Sequence, residues 1–137
     1  MKKFQLSVLI SSTAILSIAL VLVFYSFFKV VHIEEIGMDI TVGDHIGMNS
    51  DNDALHFGMV MKGACAHRNI IVKHEFDFPV KVSTRISGEL GKWTLVDNNN
   101  QVIKNGEEIE VSFHVCPPRE AEYEDYTGTA RVFFERV

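Results

Sequence analysis

No acidic residue precedes Glu34, and no formal charge of either sign interrupts the stretch from Phe4 to Phe28. Three of the 13 Lys and Arg lie at or before Lys29, so residues 30–137 carry 10 basic against 18 acidic side chains, a net charge of −8. Proteins that bind nucleic acids need a basic surface for the phosphates, so we expect no nucleic-acid partner. The 108 residues beyond Lys29 are enough for one domain with one core and too few for a multidomain enzyme.

Recognisable catalytic motifs are also missing. The sequence has no glycine-rich phosphate-binding loop, no Gly-x-Ser-x-Gly element and no His-Glu-x-x-His element. We therefore expect a protein without enzyme activity and without an organic cofactor.

The apolar stretch over residues 4–28 predicts a transmembrane helix. Its 25 residues, at about 1.5 Å each in a helix, exceed the ~30 Å hydrocarbon core of a bilayer. The stretch is longer than the apolar region of a cleavable signal peptide, and it ends in Tyr25-Ser-Phe-Phe28 instead of the small residues of a cleavage site. We expect an uncleaved signal anchor in contact with membrane lipid.

The flanking charges predict the orientation of this helix. Lys2 and Lys3 precede it, and only Lys29 follows it closely. Because positive charge is retained in the cytoplasm, residues 1–3 should form a short cytoplasmic tail. The rest of the chain then lies on the extracytoplasmic side, beginning with a juxtamembrane linker at 29–37.

Over residues 38–137 the pattern changes to the period of two that is typical of β-strands. The clearest case is Glu108 to Val115, where Ile109, Val111 and Phe113 alternate with polar residues. About seven such runs are separated by turn signals rich in Gly, Asn and Pro, and no convincing helical pattern interrupts them. The sequence predicts an all-β domain, an antiparallel β-sandwich of about seven strands.

Two blocks of core and turn residues within this domain follow a recognisable order. They are Leu55-His-Phe57-Gly58-Met-Val60 with Gly63, Arg68-x-Ile70-x-Val72 and Phe78-Pro-Val80-x-Val82, and then Val102, Gly106, Ile109-x-Val111-x-Phe113-x-Val115, Pro118 and Tyr126-Thr-Gly128-Thr-Ala-Arg-Val132. This pattern, over roughly residues 54–134, resembles the immunoglobulin-like domains of the ASH and major-sperm-protein type. The resemblance implies an interaction or structural module. The chain departs from the family pattern at Lys73-His74, where Asn is usual, and at Glu124-Asp125, where Gly is expected.

The resemblance also implies that the strand starting at Cys65 pairs antiparallel with the strand ending at Cys116. A register in which the residue numbers of paired positions sum to 181 is chemically sensible, because it pairs two cysteines, two polar residues and two opposite charges. It sets Cys65 opposite Cys116, His67 opposite His114, Asn69 opposite Ser112 and Lys73 opposite Glu108. All of these side chains are expected on the outward face.

This arrangement leaves three states open for the two cysteines. A disulfide suits the oxidising exterior of a cell, and paired strands bring the cysteines within bonding range. Alternatively, Cys65, His67, His114 and Cys116 form a Cys2His2 site for a zinc or copper ion, since residues two apart on a strand project from the same face. Two free thiols are the third state.

Three other clusters have weaker functional interpretations. His45, Met48, His56, Met59 and Met61 include the residue types that hold Cu(I), although core or surface methionines explain them more simply. Asp51-Asn-Asp53 lacks the remaining ligands of a known calcium loop. The acidic residues Glu120, Glu122, Glu124 and Asp125 indicate a solvated loop, with a contact site for a basic partner as the alternative.

The sequence as a whole predicts a single-pass membrane protein whose extracytoplasmic domain is a non-enzymatic binding or structural module of the cell envelope. The first alternative is a metal-binding envelope protein, and the second is an accessory subunit of a surface filament. The pattern does not identify the protein partner.

Overall fold

The computed structural model describes residues 2–45, 47 and 54–137. Within these residues the chain forms one α-helix, eight β-strands and one short 3-10 helix, so it has one strand more than the approximate number expected. The helix α1 is Lys2–Lys29 and the 3-10 helix is Glu89–Lys92. The strands are β1 (Val30–Gly43), β2 (Leu55–Met61), β3 (Ala66–Lys73), β4 (Val80–Gly88), β5 (Thr94–Asp97), β6 (Gln101–Ile103), β7 (Glu108–Val115) and β8 (Asp125–Arg136).

The helix α1 buries none of its residues against the rest of the protein. It is long and apolar enough to cross a membrane. Several of its hydroxyl groups bond to carbonyls within the helix: the hydroxyl of Ser11 donates to the Ser7 carbonyl at 3.0 Å, and that of Ser17 to the Thr13 carbonyl at 2.8 Å. These local bonds let an apolar environment accommodate the hydroxyls without a partner helix.

The strand β1 begins directly after α1. The stretch expected to be a linker, 29–37, instead contains the last residue of α1 and the first half of β1. The physical reason is the length of β8, which has 12 residues and pairs antiparallel with β1 from the Val30–Glu135 pair to the Thr41–Asp125 pair. This long ladder satisfies backbone groups that a linker would leave to water.

The strands form two sheets. The larger has the order β2-β1-β8-β4-β6 and the smaller has the order β3-β7-β5. All neighbouring strands are antiparallel except β1 and β2, which are parallel, a difference from the antiparallel arrangement expected. Parallel neighbours require the chain to return along the sheet before β2 begins, and that connection lies partly outside the described residues.

The inner faces of both sheets contribute to one hydrophobic core. The alternation expected for β7 is confirmed, because Val111, Phe113 and Val115 are buried while Glu108 and Glu110 are exposed. The core residues are Met38, Ile40, Leu55, Phe57, Val60, Val72, Val80, Val82, Leu90, Ile103, Val111, Phe113, Val115, Ala130, Val132 and Phe134. A shared core of this kind makes the domain a two-layer structure.

His74 has a structural role at the end of β3. His74 is buried, its Nε2 lies 3.0 Å from the Ile103 carbonyl, and its Nδ1 accepts the backbone N–H of Phe76 at 3.2 Å. The imidazole therefore connects the loop after β3 to the end of β6. It satisfies two backbone groups at the edge of the core.

The strand directions place the two ends of β3 at opposite ends of the domain. Val80 at the start of β4 pairs with Arg136, next to the pairing of Val30 with Glu135, so the loop that follows Lys73 lies at the same end as α1. Cys65 precedes β3 at the other end, about 26 Å from Lys73 for a strand that rises roughly 3.3 Å per residue. We call these the helix-proximal and helix-distal ends.

Candidate functional site

Cys65 and Cys116 form a disulfide at the helix-distal end of the smaller sheet, with their Cα atoms 4.2 Å apart. The predicted register is confirmed from the pair of Ala66 and Val115 to the pair of Lys73 and Glu108. The bond closes a loop with a sequence separation of 51 residues, which corresponds to about 4 kcal/mol in the chain-entropy model.

His67 and His114 lie two residues further along these strands, on the same outward face. They are paired directly in the register, their Nδ1 atoms are 3.1 Å apart, and their ring centroids are 4.4 Å apart. The sequence therefore predicted both the pairing and the face of this histidine pair. Together with the adjacent disulfide we call it the disulfide–histidine patch.

Asp97 completes the patch and was missed by the sequence reasoning. Its Oδ2 atom lies 2.9 Å from Nε2 of His114. Since a carboxylate only accepts hydrogen bonds, His114 donates its Nε2–H, and in the neutral imidazole its Nδ1 then carries a lone pair that faces His67. An outward position on the strand β5 was the available signal, but the sequence does not show that β5 lies beside β7.

The remaining polar residues of this face form pairs that run toward the helix-proximal end. Nζ of Lys73 lies 2.9 Å from Oε2 of Glu108, and this ion pair raises the pKa of Lys73 above its ordinary value of 10.5 through hydrogen bonding and charge attraction. Asn69 pairs with Ser112 in the register as predicted, but its side-chain amide donates to Glu110. These contacts are exposed and help to define the register.

The predicted Cys2His2 ligand set is brought together, but its two sulfur atoms are bonded to each other. Thiolates are the ligands that such a site needs. In this state the structure places no group of three or more His, Cys, Asp or Glu suitably for a metal ion anywhere in the part of the chain that it describes.

Among the described residues of this His and Met cluster, His45 and His56 have different carboxylate partners. His45 contacts Asp44 at 2.6 Å, and this hydrogen bond lowers the pKa of Asp44 below its usual 3.8. His56 instead pairs with Asp39. His45 and Met59 do line a common cavity of about 430 Å³. Met48 and the pair Asp51 and Asp53 lie outside the described residues.

The acidic loop before β8 is fixed to the domain by several contacts. The Glu124 carbonyl accepts the backbone N–H of Val42 at 2.9 Å, and Thr41 donates to the Asp125 carboxylate. The Tyr126 hydroxyl lies 3.3 Å from the Glu122 carbonyl. At Glu124-Asp125, Asp125 thus supplies a side-chain contact to the end of β1, and Glu124 contributes through its backbone carbonyl.

In comparisons with protein-family models, with curated proteins and with solved structures, none matches this chain. The candidate site is therefore described by its own geometry alone.

Proposed function

We propose that this protein is a single-pass membrane protein that presents a non-enzymatic, immunoglobulin-like domain on the extracytoplasmic side, as a binding or structural module of the cell envelope. The observation that carries the proposal is the junction of α1 and β1. An apolar helix that buries no residue against the domain is followed at once by a strand paired along its length with β8. Such a junction holds the domain close to the bilayer surface.

The proposed orientation is supported by charge and by the disulfide. Lys2 and Lys3 precede the helix, which favours a cytoplasmic N-terminus. A disulfide between Cys65 and Cys116 is typical of a compartment outside the reducing cytosol. Both features agree on the side of the membrane, although they have independent physical causes.

The immunoglobulin-like type is supported by strand adjacency. In immunoglobulin sandwiches one sheet contains the strands B, E and D, and the other contains C, F and G. The order β3-β7-β5 corresponds to B-E-D, and β4-β8 corresponds to C-F. The place of G, the last strand in those domains, is taken here by β1, so the strand joined to the helix occupies the interior of the larger sheet.

Protease accessibility tests the proposed orientation. The full chain would carry one epitope tag at each end. Protease would be added to intact cells from which any cell wall or outer membrane has been removed, so that it reaches the outer face of the membrane spanned by α1. We expect loss of the C-terminal tag and survival of the N-terminal tag. In a matched variant, Lys2→Glu with Lys3→Glu, a smaller fraction of the chains should lose the C-terminal tag, because fewer of them insert with the N-terminus in the cytoplasm. Survival of the C-terminal tag of the unaltered chain until the cells are lysed contradicts the proposal.

Metal binding is the second candidate function, and the histidine pair specifically favours it. Two imidazole nitrogens already lie 3.1 Å apart, two residues along the paired strands from the two cysteines, and a zinc or copper ion accepts both ligand types. Metal analysis of the full chain, purified in mild detergent in its oxidised and its reduced form, tests this candidate. It fails if neither form retains metal at this patch.

A further inference from the structure

We propose that the Cys65–Cys116 disulfide is the oxidised, metal-free state of a redox-controlled Zn²⁺ site, and that its reduction lets both thiolates join His67 and His114 as ligands. The inference rests on the second candidate function, metal binding, and adds its regulation. The sulfur atoms and the histidine nitrogens lie on one outward face, two residues apart on each of two paired strands.

The separation of the imidazole nitrogens fits a tetrahedral ion. Two nitrogens bound at about 2.0–2.1 Å with a tetrahedral angle are roughly 3.3 Å apart. The Nδ1 atoms of His67 and His114 are 3.1 Å apart, so a small outward movement of the rings would admit the ion. The ladder of hydrogen bonds between β3 and β7 keeps the two strands in place while the rings adjust.

Asp97 orients one of these ligands. Metal-binding histidines usually donate their second ring N–H to a carboxylate or carbonyl, which fixes the tautomer and makes the other nitrogen more basic. His114 has this arrangement, with Nε2 directed at Asp97 and 2.9 Å away. Its Nδ1 is therefore the nitrogen available to bind a metal ion. Asp97 is a positioning residue and does not need to touch the ion.

The disulfide is open to the reagents that would control it. Cys65 is exposed and Cys116 is half-buried, at the end of the domain far from α1. A cavity of about 190 Å³ also opens beside Cys65 and His67. The net charge of −8 over residues 30–137 favours the approach of a cation over that of an anion.

The chemistry balances with a thiol as the reductant. Two external thiols supply two electrons and two protons, the Sγ–Sγ bond breaks, two protein thiols form, and the external thiols leave as their own disulfide. Binding of Zn²⁺ then releases the two thiol protons, while the proton on Nδ1 of His67 moves to Nε2. In the reverse direction an external disulfide is the oxidant: it accepts two electrons from the two thiolates, the Sγ–Sγ bond forms, the external disulfide leaves as two thiolates, and the ion is released.

The test uses the full chain in mild detergent, with Co²⁺ as a spectroscopic probe and Zn²⁺ as competitor. A phosphine reduces the protein under inert gas, because an added thiol would itself bind metal. We expect the reduced protein to bind one Co²⁺ with the spectrum of a tetrahedral thiolate site, displaced by one equivalent of Zn²⁺. The oxidised protein should not give this spectrum.

Two variants separate the patch from other metal ligands. His67→Ala with His114→Ala should weaken Co²⁺ binding to the reduced protein by at least tenfold, whereas the matched control His45→Ala should leave it unchanged. Equal binding in the double variant overturns the proposal. Far-UV circular dichroism verifies that each reduced protein retains its β-sheet, and a reduced wild-type chain that unfolds and is not refolded by Zn²⁺ also overturns it.

The outcomes distinguish redox control from the metal-binding function on which it rests. If oxidised and reduced proteins bind metal equally through His67 and His114, metal binding stands and redox control fails. If neither form binds metal at the patch, both fail.

Discussion

Gly88 and Gly128 lie directly opposite each other in β4 and β8, and their backbones touch. A Cβ atom on Gly88 would lie 3.0 Å from Cα of Gly128. Gly88 also has a φ of +85°, a backbone angle that residues other than glycine rarely adopt. A Cβ atom on Gly128 would lie 2.9 Å from the Ser87 carbonyl oxygen and 3.0 Å from Cβ of Leu90. The absence of side chains here lets the 3-10 helix place Leu90 in the core.

Gly128→Ala should therefore destabilise the domain. The added methyl group meets backbone and a buried side chain, and overpacking of this kind costs about 1–3 kcal/mol. Urea unfolding of the full chain in mild detergent, followed by circular dichroism, measures the loss. Gly37→Ala is the matched control, since its Cβ would meet only Ala54 at an ordinary 3.7 Å. Equal stability of the two variants contradicts the packing argument.

Replacing Cys65 and Cys116 with alanine should lower the free energy of unfolding by about 4 kcal/mol. The loss arises because the bond between them, separated by 51 residues, restricts the unfolded chain. The same urea measurement applies. Metal-free wild-type protein treated with a reductant should fall to the stability of the double variant, and the variant should not respond to the reductant. A variant as stable as the oxidised wild type argues against the stabilising role of the bond.

The raised pKa of Lys73 should depend on Glu108. Because Glu108 favours the charged form of Lys73, the pair contributes to stability fully below pH 10.5, and the contribution is lost as pH rises through the raised pKa. In Glu108→Gln the pKa should return toward 10.5. An NMR titration of the Lys73 side chain measures this value. Glu107→Gln is the neighbouring control and should leave the pKa raised, so a fall in both variants would point to another cause.

Asp97→Asn should weaken metal binding by the reduced protein without affecting its fold. An amide in this position no longer fixes the tautomer of His114 as a carboxylate does, and changes to such outer partners typically cost 10–100-fold in metal affinity. Competition between Co²⁺ and Zn²⁺ measures the affinity, and urea unfolding verifies the fold. Asp77→Asn, in the loop between β3 and β4, is the control. An unchanged metal affinity of the reduced Asp97→Asn protein would show that Asp97 has no role in the site.

The sequence alone determined the features that depend on local periodicity. The uninterrupted apolar run predicted the helix α1, and the alternation in Glu108–Val115 predicted which face of β7 is buried. The register of β3 on β7 was predictable once the resemblance to immunoglobulin-like domains had implied that these strands pair, because a shift of one residue would turn every buried side chain to solvent and separate the charge pair of Lys73 and Glu108.

Only the tertiary structure decided the other strand neighbours across long separations. It paired β1 with β8, set β2 parallel to β1, and brought Asp97 on β5 beside His114 on β7. A period of two shows which face of a strand is buried but not which strand lies beside it. That choice depends on the packing of the whole core and on the closure of long loops, and neither is visible in any short stretch of the chain.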